Sequence, residues 1–190
     1  MNKLLTVAAG LAAFAGLAGC ESGLPVEAHE KTLVLRAGDL VPFGYGLEET
    51  EQFETFSKTK YFDGSREISY EFQTPDGEED NPLYLGVTLT FEKKQSDALV
   101  SHGAERTGAT AGLRIAGIKS REIEDFYKYG DSSTFYVLEM EGKPVGNLFS
   151  VRDGKKIYLI VMTGFYFDDP GAWQELVEEK LKKFSAYEPS

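Results

Sequence analysis

Hydrophobic and polar residues alternate without a break from Arg66 to Gln73, with Ile68, Tyr70 and Phe72 on one side and Ser69, Glu71 and Gln73 on the other. A period of two sends successive side chains to opposite faces, so this segment predicts a strand with one wet face. The pattern resumes over residues 83–92, where Leu83, Leu85, Val87, Leu89 and Phe91 oppose Tyr84, Thr88 and Thr90. Residues 132–141 and Lys156–Thr163 are apolar on both sides, as strands are when they lie mid-sheet under cover from above and below. Between them residues 144–152 predict a further strand, joined to its successor by Asp153-Gly154, a pair that favours a type I′ turn. Three antiparallel strands in succession follow from this. Shorter strands are predicted at 31–36 and 51–58, an irregular loop at 37–51, a turn at Asp63-Gly64 and an acidic connector at 75–82.

The period changes twice. Ser96 is placed to cap a helix over 97–113, although Gly103, Gly108 and Gly112 each disfavour it by up to about 1 kcal/mol relative to alanine. Packing must hold that helix, and a close approach to the sheet accounts for its glycines. Asp169 as N-cap and Pro170 at the first helical position open a second helix, whose stripe of Trp173, Leu176, Val177, Leu181 and Phe184 is a core face. Residues 115–119 and 122–129 read as extended or mixed. Strands, helix, strands, helix is the order of an α+β domain in which helices cover an antiparallel β-sheet.

Ahead of this body, Met1-Asn2-Lys3 supplies one base, residues 4–17 are apolar apart from Thr6, and Ala18 and Gly19 are small, which is the layout of a signal peptide. As a helix, that apolar stretch rises about 21 Å, short of the roughly 30 Å needed for a permanent span. Leu17-Ala18-Gly19-Cys20 resembles the bacterial lipobox. The resemblance implies that the bond between Gly19 and Cys20 is cut and that Cys20 is the lipid attachment site. A thioether there would hold diacylglycerol, with palmitate or a similar chain on the new amino group. Several acyl chains anchor firmly, since each buried methylene contributes about 0.8 kcal/mol. Cys20 is the sole cysteine, so no disulfide framework is expected. The expected organisation is 1–19 as lipoprotein signal peptide, 20–30 as a lipidated tether without period, reaching about 35 Å if extended, and 31–190 as a single globular α+β domain. Glu21 would be the second residue, which by resemblance to enteric lipoproteins favours the outer membrane over the inner, facing the periplasm.

Charge narrows the partners. The 190 residues carry a formal charge of −11, and without Met1 to Gly19, which hold Lys3 and no acid, 19 bases stand against 31 acids for −12. Neutralising phosphate requires lysine and arginine, so nucleic acid and anionic lipid headgroups are disfavoured as partners. Membrane contact is expected through the anchor at Cys20 alone. Aromatics make up 13% of the chain and fall largely within the alternating segments, where core and sheet packing explains them.

From about Arg66 to Tyr187 the layout resembles the PsbP-like fold, an α/β/α sandwich. The landmarks are a strand ending near Pro75, a second strand with a helix after it, a hairpin bearing Gly154-Lys155-Lys156-Ile157-Tyr158-Leu159, and a closing helix with Trp173 ahead of Phe184-Ser185. They are spacings, not invariant chemistry. Members of that fold serve as assembly and binding factors, so the resemblance implies a non-enzymatic accessory role with an envelope protein partner.

Searches for chemistry name no catalytic residue. His29 falls in the tether and His102, expected as a partly exposed helix residue, has no His-Glu-x-x-His spacing or thiol to join it, so no metal or cofactor is expected. Ser101 and His102 point about 100° apart on a helix, and no Gly-x-Ser-x-Gly elbow exists. Asp76-Gly77-Glu78-Glu79-Asp80-Asn81 lacks the ligand order of a calcium loop and reads as a solvated turn. The glycines of the first helix, flanked by Arg106 and Arg114, do not form a phosphate loop. The leading expectation is a membrane-anchored lipoprotein that acts as a binding or assembly accessory factor through a shallow surface patch. The alternative is a carrier or sensor of a small or lipidic ligand, which would need a pocket between sheet and helix. An envelope enzyme would require carboxylates or His102 converging in a cleft.

Overall fold

A computed structural model describes residues 20–46, 53–74 and 82–189. The stretch read as a signal peptide, residues 1–19, and residues 75–81 of the acidic connector lie outside the described residues. Eight strands form one antiparallel sheet: β1 (Cys20–Ser22), β2 (Glu54–Tyr61), β3 (Arg66–Gln73), β4 (Tyr84–Phe91), β5 (Lys119–Glu122), β6 (Ser132–Met140), β7 (Lys143–Asp153) and β8 (Lys156–Thr163). Their order across the sheet is β1-β2-β3-β4-β8-β7-β6-β5. Helices α1 (Ala28–Lys31), α2 (Gln95–Ile115) and α3 (Pro170–Ala186) and a 3₁₀ segment, Ala37–Phe43, complete the fold. The chain is therefore α+β. Two up-and-down runs meet at β4 and β8, and α2 carries the chain from the middle of the sheet to its far edge.

Register turns the sequence pattern into two surfaces, because directly opposed residues share a face. On one face Phe56, Tyr70, Val87, Ile160, Phe149 and Phe135 form a row across six strands. Helix α3 covers this face, with the Trp173 ring 5.1 Å from Phe135 and 5.3 Å from Phe149, both edge-on. Asp169 caps α3 through the Ala172 amide at 2.7 Å, and all five residues of the predicted stripe are buried. On the other face Ala109 and Leu113 of α2 pack against Leu148, Leu159 and Val161. Strand β8 is buried at every position, as its two apolar faces require.

Four local expectations need correction. Residues 31–36 are not a strand: Leu33, Val34 and Leu35 are all buried, and the Tyr158 hydroxyl stands in for a neighbouring strand by donating to the Leu33 carbonyl and accepting from the Leu35 amide. Helix α2 starts at Gln95 with Lys94 at the cap position, and the Ser96 hydroxyl bonds Asp97 instead of capping. The hairpin β7–β8 turns on Gly154-Lys155, with positive φ at Gly154 alone, the φ pattern of type II′. It is Glu141-Gly142, between β6 and β7, that has positive φ at both central positions as type I′ does. Finally, the stretch read as a tether lies on the domain. Cys20–Ser22 pairs with β2, and Glu30, only 1% exposed, accepts from Lys58 at 2.6 Å and from Tyr187 at 2.7 Å. Its acids suggested a solvated segment, but Glu30 has partners in β2 and beyond α3.

Candidate functional site: a groove beside α2

Helix α2 contacts β5, β7 and β8, which leaves the same face of β1 to β4 without a helix over it. The register places Ser22, Thr59, Glu67 and Thr90 in one row there, Ser57, Ser69 and Thr88 in the next, and Thr55, Glu71 and Gly86 in a third. The polar side of the 66–73 strand and the side of Tyr84, Thr88 and Thr90 in the next thus form a floor, and α2 rises from it as a wall. The step between them is a groove of about 870 Å³. Ser101, Ala104, Glu105, Gly108 and Ala109 form the wall, and Leu159 and Val161 lie at its foot. Tyr84 and Gly86 share a face two residues apart, and the Tyr84 phenol lies over the glycine, where a Cβ would come within 2.6 Å of its oxygen. Gly86 is what lets an aromatic ring lie flat in the floor.

The electrostatics of the groove are one-sided. Asp63, Glu67, Glu71, Glu92 and Glu105 line it, and among the described residues no lysine, arginine or histidine does. Glu105 is the most perturbed of these. Its Oε1 accepts from the Thr90 hydroxyl at 2.8 Å, while its Oε2 is buried with no hydrogen-bond partner. Burial, reinforced by Glu67 and Glu92, pushes its carboxyl up to about 7. Burial likewise raises Glu71, and it raises the Tyr84 phenol together with the nearby charge of Glu71. Glu67 is held by hydroxyls, from Tyr61 at 3.2 Å and Ser69 at 3.0 Å, and Ser101 donates to Glu92. Chemically this is a hydroxyl-lined, negatively biased trough with one carboxyl able to give or take a proton near neutrality.

No family model matches the chain, and no curated protein or solved structure matches it significantly either. The site therefore has to be argued from its own residues.

Cys20 is exposed, and it pairs with Tyr61, so its side chain shares the groove face at the outer edge of the sheet. His102 is not the partly exposed residue expected. It is 5% exposed beneath α2, with Nε2 unpartnered, and burial, aided by the positive charges of Arg106 and Arg152, pushes it down to about 4. It is neutral and outside the groove lining. Close approach does not explain Gly103, where a Cβ would meet open space. Among the described residues no group of three or more His, Cys, Asp or Glu side chains converges as a metal site, and no helix is long and apolar enough to cross a membrane. The candidate calcium turn at 76–81 lies outside the described residues.

Sequence reasoning missed Glu105, Glu67 and Thr90 as a set. The signal is present in the wet face of Ser69 and Glu71 and in Thr88 and Thr90 opposite the apolar row of the next strand. What was missing is that α2 spans only half of that face.

Proposed function

We propose that this chain is a lipoprotein of the cell envelope, anchored through Cys20, whose domain binds a small ligand in the groove beside α2 and acts as a carrier or sensor without covalent chemistry. The observation that carries this reading is the groove itself: about 870 Å³ of hollow with a buried, unpartnered carboxylate oxygen in its wall. Pockets for small ligands are concavities of roughly 300–1,000 Å³ with a few convergent polar groups. The lining is chiefly hydroxyls and carboxylates, groups suited to holding a ligand by hydrogen bonds and charge. The anchor rests on Leu17-Ala18-Gly19-Cys20 and on the exposure of Cys20. Since Cys20 shares the groove face, a lipid on its sulfur would bring the groove close to the membrane surface, with the outer membrane favoured by Glu21.

A shallow-patch assembly factor is the second reading. Leu99 and Val100 favour it, 61% and 72% exposed side by side on α2, as does the PsbP-like spacing of residues 66–187. The deep groove favours the first.

The two part in a thermal-shift panel of neutral oligosaccharides, oligoamines and single-chain amphiphiles, run on the wild type and on Ala104→Trp, which fills the groove from an exposed helix position. One class is expected to raise the Tm of the wild type and not that of the variant. Equal responses from both proteins to every class would remove the ligand-binding reading.

A further inference from the structure

We infer that the groove takes a linear ligand bearing two or more ammonium groups, a compound of the oligoamine class. The inference rests on the groove being a ligand site and names what fills it. Among the described residues five carboxylates and no base line the hollow, a lining that repels phosphates and carboxylates and attracts cations. They are also spread out. Glu67 and Glu71 stand on the same face of β3 four residues apart, about 13 Å at strand rise, while Glu92 and Glu105 face them from the α2 side. A single compact cation would leave most of these charges unanswered, whereas a chain with separated ammonium groups meets several at once.

The surface between the carboxylates suits the rest of such a chain. Thr88, Tyr84, Val161 and Ala109 offer methyl groups, an aromatic ring and aliphatic carbon to methylene segments. A fatty tail is less well served, because hydroxyls and carboxylates run along the floor from Thr55 to Thr90. Glu105 supplies the most specific feature. Its Oε2 is closed off from solvent and lacks a hydrogen-bond donor, and a small rotation of the carboxylate toward the hollow would give it an ammonium as donor and counter-charge together. The groups that face Glu105 are Tyr61 from β2, Glu67 from β3, and Thr90 and Glu92 from β4 and its end, none of them a cation. Lys93 stands beside Asp63 at the mouth.

Ammonium binding requires the Glu105 carboxylate, so capture expels its proton and is linked to pH. With the empty-groove carboxyl near 7, affinity falls by up to about tenfold for each pH unit below that value and levels off above it. The ligand is held at neutral and alkaline pH and released in acid.

The test is isothermal titration of the full-length chain with spermidine, repeated in two buffers of different ionisation enthalpy, with Glu105→Gln and Ala104→Trp alongside. Glutamine keeps the oxygen that accepts from Thr90 and removes a buried charge, so that variant folds. The expected result is binding that weakens with acid and with salt and releases a proton. It should weaken about tenfold or more in Glu105→Gln, with the proton release gone, and be lost in Ala104→Trp. Equal spermidine binding by all three proteins would mean attraction to bulk charge and would overturn the inference. So would binding of a neutral oligosaccharide or a single-chain amphiphile, blocked by Ala104→Trp, in the absence of spermidine binding; the groove would then stand as a site with the wrong occupant assigned. No binding of any of the three probes would overturn both the inference and the reading beneath it.

Discussion

Two titratable residues on α2, the buried His102 and the half-buried Glu105, act on stability in opposite directions. The His102 imidazole is held down to about 4, so between its ordinary value and that one the unfolded chain binds more protons, and stability is lost as pH falls through the window. Glu105 is held up to about 7. There the folded chain binds more protons, and stability is lost as pH rises from about 4.5 to 7. Each effect is worth up to about 3 kcal/mol, and in the wild type they largely offset one another over the same range. Glu105→Gln separates them. It should equal the wild type in stability near pH 4, exceed it by about 1–3 kcal/mol at pH 8, and show the His102 slope alone in between. Urea unfolding across that range checks this, and a variant less stable than the wild type at pH 8 would mean that the Glu105 carboxylate is satisfied in the fold. Neither residue could be placed from sequence. His102 and Glu105 lie three apart on a glycine-rich helix, and which side of it faces β7 and which faces the groove depends on how α2 seats.

At the scale of elements, the strands were legible and their cover was not. Arg66–Gln73 matches β3 residue for residue and 83–92 brackets β4, because a period of two over eight residues leaves little freedom. Asp169 and Pro170 likewise fix the start of α3. The misreadings arose where a tertiary partner replaced a local one, as the Tyr158 hydroxyl does for 33–35. The turn β7–β8 shifted by one residue because Gly154, not Asp153, takes the positive φ. Gly86 is the element-scale counterpart of Glu105, since it sets the depth of the floor. In Gly86→Ala the new methyl would meet the Tyr84 oxygen at 2.6 Å and drive the ring toward α2. The variant should fold with about 1–2 kcal/mol less stability and show weakened binding in the groove. Unchanged binding would show that the floor beneath Tyr84 is not part of the site.

For the whole molecule, Cys20, the proposed anchor point, and the groove lie on one face of one sheet. The N-terminal stretch looked like a spacer because it has no period and many acids. Glu30 ties it instead to Lys58 of β2 and to Tyr187 just after α3, and pairing with β2 holds Cys20 at the edge of the groove face. An acidic body of this kind gains little from anionic headgroups, so the proposed attachment at Cys20 would have to rest on covalent lipid. The groove was unreadable at this scale because it is defined by what α2 leaves uncovered, and coverage is a property of the assembled fold. Native mass spectrometry of the protein released intact from membranes of its own host, wild type beside Ala104→Trp, tests the account most directly. The account predicts a chain beginning at an acylated Cys20, carrying a small molecule in the wild type that the variant lacks. Wild type and variant with the same ligand-free mass would contradict it.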